Sequence, residues 1–266
     1  GSTLKRIFQQ QYPASRQFNV GMNIRAGREE LKDMPVEERR HIDLLYGHVS
    51  YGWHEHLPRP VRYVTMIRHP VSRVISHYNY VRYRTKSPHY LRETVRERDM
   101  SIGDYVSSGI CDEMNNGQVR LLAGVEDIVQ EPFGESVLPY GTNDEVLLDR
   151  ALDHLGTHFD AIGIQERFDE SLLLICHRMN LDLASYRPRN IGRKYYKKRH
   201  PTDEEIEIIR DYNQLDLRLY NIVRERFEDE VSTILFPNLR TRLFRLRNQV
   251  VNRLRTARRS LRDFWS

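Results

Sequence analysis

The sequence predicts an α/β protein, a parallel β-sheet with helices on its faces, and three features predict it. Two short runs, VRYVTMI at 61–67 and DAIGI at 160–164, are nearly continuous in apolar character, as strands covered on both faces are. Each is followed by apolar residues at helical spacing. Helix start signals recur between them, so strands and helices alternate along the chain. With 266 residues, 39% of them apolar, the chain is long enough to bury a large core, which excludes a disordered or collagen-like polymer.

Taken in order, residues 1–11 read as a loop entering a helix that Tyr12-Pro13 stops. Pro35 with the acidic turn Val36-Glu37-Glu38 opens a helix to about Leu45, and Gly47–Tyr51 is short and extended. After the 61–67 strand, Pro70 sits at a first helical position, and Val71, Val74, Ile75, Tyr78 and Val81 recur at helical spacing. Thr142-x-x-Glu145 and Thr202-x-x-Glu205 read as capping boxes, opening helices over 143–158 and 203–213. The 160–164 strand leads to a helix carrying Leu172, Leu173, Ile175, Cys176 and Met179. Segments 84–100 and 124–141 are polar or punctuated by Gly and Pro, and read as surface loops. The chain shows no internal repeat, no run of about 18 apolar residues and no apolar signal core.

Net charge is +5 with a pI near 9.2, which suggests a polyanionic partner until the charge is located. Residues 239–266 hold nine Arg, no Lys and one acidic residue, a balance of +8. The other 238 residues hold 33 basic and 36 acidic side chains, a balance of −3. The basicity belongs to the tail, so no nucleic-acid partner is expected for the body. In the tail Leu239, Leu243, Leu246, Val250, Leu254, Leu261 and Trp265 recur at spacings of three, four or seven, the pattern of a basic amphipathic helix. Its apolar side would pack on protein, the domain or a second subunit, which is the favoured expectation, or lie on an anionic membrane surface or an acidic glycan. The division expected is therefore a domain over 1–236 and this helix over 237–266. Cys111 and Cys176 lack partners at metal spacing, so neither a zinc site nor a disulfide framework is expected.

Chemistry concentrates where the 61–67 strand meets its helix. Ligands of parallel sheets collect at the carboxyl ends of strands, and helix N-termini offer unpaired N–H groups to anions. Arg68 emerges there and Ser76 follows two turns into the helix, a pairing able to hold a phosphate. The plain alternative is an Arg paired to a surface carboxylate and an ordinary helix serine. The run R-x-P-x-x-R-x-x-S-x-Y from Arg68 to Tyr78 resembles the 3′-phosphate-binding segment of sulfotransferases that use 3′-phosphoadenosine 5′-phosphosulfate (PAPS). More specifically, the chain resembles the carbohydrate branch that includes the heparan and uronyl 2-O-sulfotransferases and bacterial relatives. The resemblance implies that Arg68 and Ser76 hold the 3′-phosphate of the donor.

Further segments follow in the family's order. Gly1, Ser2 and Thr3, ahead of Leu4-Lys5, resemble the end of its 5′-phosphosulfate loop, with the loop's Lys and preceding strand expected upstream of a trimmed start. Sulfonate transfer to a sugar hydroxyl needs a proton acceptor, and histidine titrates near neutrality. Three histidines, His48, His54 and His56, lie within nine residues, and G-H-x-x-Y-G at 47–52 resembles the segment carrying the family's base, which singles out His48. His54 remains a candidate substrate contact, and His54 and His56 flank Glu55 without a visible third metal ligand. Asn115–Leu122 resembles an N-x-Q-x-R-L segment, making Gln118 and Arg120 candidate acceptor contacts, one facing the acceptor and the other the protein. Asn190–Arg199 resembles a late loop over the nucleotide, with Gly192, Arg193 and Lys194 as candidates, and Asn213–Tyr220 matches a final N-x-x-D-x-x-L-Y stretch.

The resemblance implies a P-loop-like fold, PAPS as donor, a carbohydrate acceptor and no required metal, because 3′-phosphoadenosine 5′-phosphate (PAP) is already a good leaving group. It implies the cytoplasm for a bacterial chain and the Golgi lumen for a eukaryotic one, and the lack of a visible anchor favours the first. A kinase on the same frame would want a G-K-[ST] triplet and carboxylates for Mg²⁺, which the sequence does not display. A non-catalytic module using the tail to bind an anionic surface is the rival from another class.

Overall fold

The computed structural model describes residues 2–21, 23–84, 88–125, 139–187 and 199–265, with side chains described to 257. It is a mixed α/β structure, mostly helical, with small parallel sheets. Strand β1 (Gln17–Asn19) pairs in parallel with β2 (Leu44–Tyr46), and β3 (Tyr63–Ile67) pairs in parallel with β4 (Phe159–Ile164). Among the described residues these are two separate two-stranded sheets.

The β3–β4 pair is covered on both faces, which is why its strands lack polar alternation. On one face α1 (Ser2–Gln9) and α9 (Phe168–Met179) pack Leu4, Ile7, Phe8, Leu172 and Ile175 over Ala161, Val64 and Met66. Leu44 of β2 joins the same cluster, so α1 spans both sheets. On the other face α7 (Gly117–Leu122), α8 (Glu145–Thr157) and α11 (Gln214–Ser232) close on Ile67, Phe159 and Ile162 with Val119, Leu148, Ala151, Leu155 and Leu219. Full burial of each such large aliphatic side chain contributes about 2 kcal/mol.

A second cluster is helical. Helix α4 (Pro70–Tyr83) starts with Pro70 in its first turn and buries Val74, Tyr78 and Val81, residues on one face, against α5 (Arg92–Glu97), α6 (Ile102–Ser107) and α10 (Asp203–Asp211). Beside β1, α2 (Ile24–Asp33) buries Ile24 and Leu31 with Trp53.

Several elements differ from the expectations. The helix after Pro35, α3, covers only Val36–Arg40, and Leu44–Tyr46 is strand β2. Parallel pairing with β1, with Asp43 N–H donating to the Arg16 carbonyl just ahead of it, overrides the helical preference of two leucines. The extended stretch therefore precedes Gly47. The 84–100 segment contains α5. Thr142 is not a cap: its hydroxyl donates to the Pro139 carbonyl, while Asp144 accepts from Val146 N–H and starts α8 two residues late. At Thr202 the capping box is complete, and α10 follows from Asp203. No disulfide joins Cys111 and Cys176, and both are buried. The tail is one helix, α12 (Pro237–Trp265). Among the described residues no helix is long and apolar enough to cross a membrane.

Candidate functional site

Only Arg68 and His69 connect β3 to α4, and this two-residue link is fixed from both sides. The Gln118 side chain accepts from Arg68 N–H at 2.8 Å and donates to the Arg68 carbonyl at 2.9 Å. Gln118 is itself set by Asp216, which accepts from its amide side chain at 3.3 Å, from its backbone N–H at 3.1 Å and from Val119 N–H at 2.8 Å. From the β4 side, Glu166 accepts from His69 N–H at 3.0 Å, and its other oxygen lies 3.4 Å from the Tyr220 hydroxyl.

With its backbone held in this way, Arg68 keeps its guanidinium uncommitted. Among the described residues no carboxylate forms an ion pair with it. Burial and the nearby charge of Arg73 depress its pKa, and Glu166 opposes them only in part. A partly desolvated cation whose burial a neighbouring carboxylate offsets only in part gains free energy when an anion arrives. Ser76 lies on the exposed side of α4, one turn from Arg73. The second Arg of the motif is engaged: Arg73 donates to the Glu113 carbonyl at 2.6 Å and to its carboxylate at 2.7 Å. Gly117 leaves room for it, since a β-carbon there would lie 2.9 Å from an Arg73 nitrogen.

His48 stands two residues beyond β2, exposed, within electrostatic reach of Glu113, His77 and His89. Burial works to raise the Glu113 pKa, but Arg73 and the three histidines outweigh it and hold the carboxyl below its ordinary range. Burial takes His77 down to about 4, so it is neutral at physiological pH, with the Tyr105 hydroxyl 3.1 Å from Nδ1. Arg68 and Glu166 thus stand at the carboxyl ends of β3 and β4, and Arg73, paired with the partly buried carboxylate Glu113, links them electrostatically to His48 beyond β2. Because the folded pKa of Glu113 is lowered, its stabilising contribution is present above the ordinary glutamate pKa and lost as pH falls through the folded value. Glu113→Gln is therefore expected to flatten the acid side of a stability profile measured by thermal unfolding from pH 3 to 6.

The remaining candidates separate. Ser2 and Thr3 form the first turn of α1, and Gly1 lies outside the described residues, as do Gly192, Arg193 and Lys194. Where the chain resumes, Asn79 accepts from Arg199 N–H at 2.9 Å and donates to its carbonyl at 3.2 Å, so the basic segment ends against α4 one turn beyond Ser76. His54 is not part of the Arg68 edge. Its Nδ1 lies 2.9 Å from the hydroxyl of Tyr63, the first residue of β3, about 16 Å along that strand from Arg68. Gln118 and Arg120 are both taken up by the protein. Arg120 is fully buried and donates to the Asn115 side chain at 2.7 Å and the Pro139 carbonyl at 3.2 Å. Among the described residues no group of three or more His, Cys, Asp or Glu is arranged to hold a metal ion.

Sequence reasoning passed over Glu113, Asn79 and the positioning role of Asp216. Asp216 had a signal, since it is the acid of the N-x-x-D stretch, and that stretch interlocks with Asn115–Gln118. Asn116 accepts from the backbone N–H groups of Leu215 and Asp216 and donates to Asn143 at 2.8 Å, while Asn213 accepts from Asn116 N–H and donates to the Met114 carbonyl. No protein-family model matches the chain, and no curated protein matches it either.

Proposed function

We propose that this chain transfers a sulfonate from PAPS to a carbohydrate hydroxyl on a P-loop-like frame. The observation that carries the reading is the Arg68 guanidinium, free of ion pairs among the described residues while Gln118 and Asp216 hold its backbone at the carboxyl end of β3. In this reading Arg68 and Ser76 take the 3′-phosphate of the donor. Ser2 and Thr3, in the first turn of α1, take the 5′ side of the donor. The acceptor oxygen attacks sulfur in line as the bond from sulfur to the bridging phosphate oxygen breaks, PAP departs with that electron pair, and His48 receives the hydroxyl proton.

Two measurements on the intact chain test this. Calorimetry with PAP is expected to show binding that His48→Ala leaves within about twofold. Transfer of labelled sulfonate from PAPS to desulfated uronate-containing polysaccharides is expected to fall about 100-fold or more in His48→Ala, the usual scale for loss of a general base. Failure to bind PAP overturns the reading of the donor, and full turnover in His48→Ala overturns the assignment of the base.

A further inference from the structure

Helix α12 sits on the domain by the side that carries its polar contacts, so of the protein surfaces its apolar side could pack on, the domain is not the one used. The contacts run through Phe244 and Thr241, both buried, and through polar side chains. Arg245 donates to Asp169 at 2.8 Å, Asn248 accepts from Tyr186 N–H at 2.8 Å, and Asn252 donates to the Tyr186 carbonyl at 2.8 Å. At 100° per residue these positions lie on the side of the helix opposite Leu239, Leu243, Leu246, Val250 and Leu254. Those five are 50–60% exposed, and Leu235 and Phe236 just before the helix are 70% and 65% exposed.

The stripe is regular. Leu239 and Val250 are eleven residues apart, as are Leu243 and Leu254, a repeat of 3.67 residues per turn that keeps it nearly straight along the helix. It spans about 24 Å and a sector of about 80°. Arg240 and Arg247 border it on one side, Arg242 and Arg253 on the other. The sequence continues the spacing to Leu261 and Trp265 with one acidic residue, Asp263, in the whole tail.

We infer that α12 lies on an anionic lipid bilayer surface, with the leucine and valine stripe in the boundary between headgroups and acyl chains and the flanking arginines on lipid phosphates and carboxylates. The charge selects this occupant. A second copy laid stripe to stripe would bring arginine rows carrying a tail charge of +8 against their like. A nucleic acid or an acidic glycan answers the arginines and leaves the five aliphatic side chains in water. An anionic bilayer takes both, at a depth of about 5–10 Å. The inference does not depend on the chemistry at Arg68.

The test is flotation of the intact chain with vesicles of phosphatidylcholine containing 30% phosphatidylserine, and with phosphatidylcholine alone. Binding is expected only to the anionic vesicles. It should weaken at least tenfold when salt rises from 0.1 M to 1 M, where the screening length falls from about 10 Å to about 3 Å. The exposed triple variant Leu243→Ser, Leu246→Ser, Val250→Ser should weaken it at least tenfold with an unchanged thermal transition, and Arg240→Gln, Arg242→Gln, Arg247→Gln, Arg253→Gln should do the same. Failure of the parent chain to float overturns the inference. So does equal flotation of the triple serine variant, which would make the attraction purely ionic. A dimer seen by sedimentation velocity and dissolved by the serine substitutions also overturns it, and would make the stripe a subunit interface.

Discussion

Arg68→Ala is expected to weaken PAP binding about 100-fold while leaving the thermal transition within a degree of the parent. Two charge-assisted hydrogen bonds from a guanidinium to a phosphate are worth about 3 kcal/mol together, which is roughly that factor. The fold should not notice, because among the described residues the guanidinium forms no ion pair and the bonds that hold this position come from its backbone. Arg68→Lys should recover only part of the loss, since an ammonium cannot present the same planar pair of donors. Ser76→Ala, which removes one neutral donor from an exposed position, should cost about fivefold, or about 1 kcal/mol. Calorimetry on the three variants separates the two readings of this arginine: unchanged affinity in Arg68→Ala would reduce it to an ordinary surface cation.

Gln118→Leu should behave differently. It removes both bonds to the Arg68 backbone and leaves Asp216 with one donor fewer, so affinity and stability fall together. That split between Arg68, which would bind, and Gln118, which positions, corresponds to how far the sequence could be read. The strand VRYVTMI and the Pro70 helix were legible because periodicity and proline act locally, and a short link between them had to expose Arg68. Gln118 was legible only as a motif position, with its partner undetermined, because the bond closes between residues 50 apart in the chain. The same holds for Asn79 and Arg199, 120 apart. The errors are of one kind. Leu44–Tyr46 carries no strand signal of its own, and β1 makes it a strand. Thr142 fits the capping pattern as well as Thr202 does, but Asp144, two residues on, competes for the same helix and accepts from its Val146 N–H. The tail's amphipathic pattern was plain, yet a pattern names an apolar face without saying which face the fold will use. Here Phe244, outside the stripe, supplies the buried contact.

Asp216→Ala is expected to lower stability by about 3–5 kcal/mol, a fall of roughly 10 °C in the melting temperature for a chain of this size. The carboxylate is fully buried and accepts from Gln118 N–H, Val119 N–H and the Gln118 side chain, which together join α7 to α11. Removing it leaves donors in the core without acceptors, each at about 1–3 kcal/mol, and frees the amide that fixes Arg68. PAP affinity should therefore fall with stability, unlike in Arg68→Ala. Asp216→Asn preserves the shape and exposes the cost of the charge. Burial raises the Asp216 pKa above its ordinary value, only partly offset by Arg73 and by its hydrogen bonds. A raised folded-state pKa means that ionisation disfavours the folded state, so this group's contribution is fullest below the unfolded value of about 3.9 and shrinks as pH rises through the folded value. The margin of the parent chain over Asp216→Asn in urea unfolding should accordingly be widest near pH 4 and narrow toward pH 7. A margin that widens with pH would mean that the charged form stabilises the joint and that burial is not the dominant influence on Asp216.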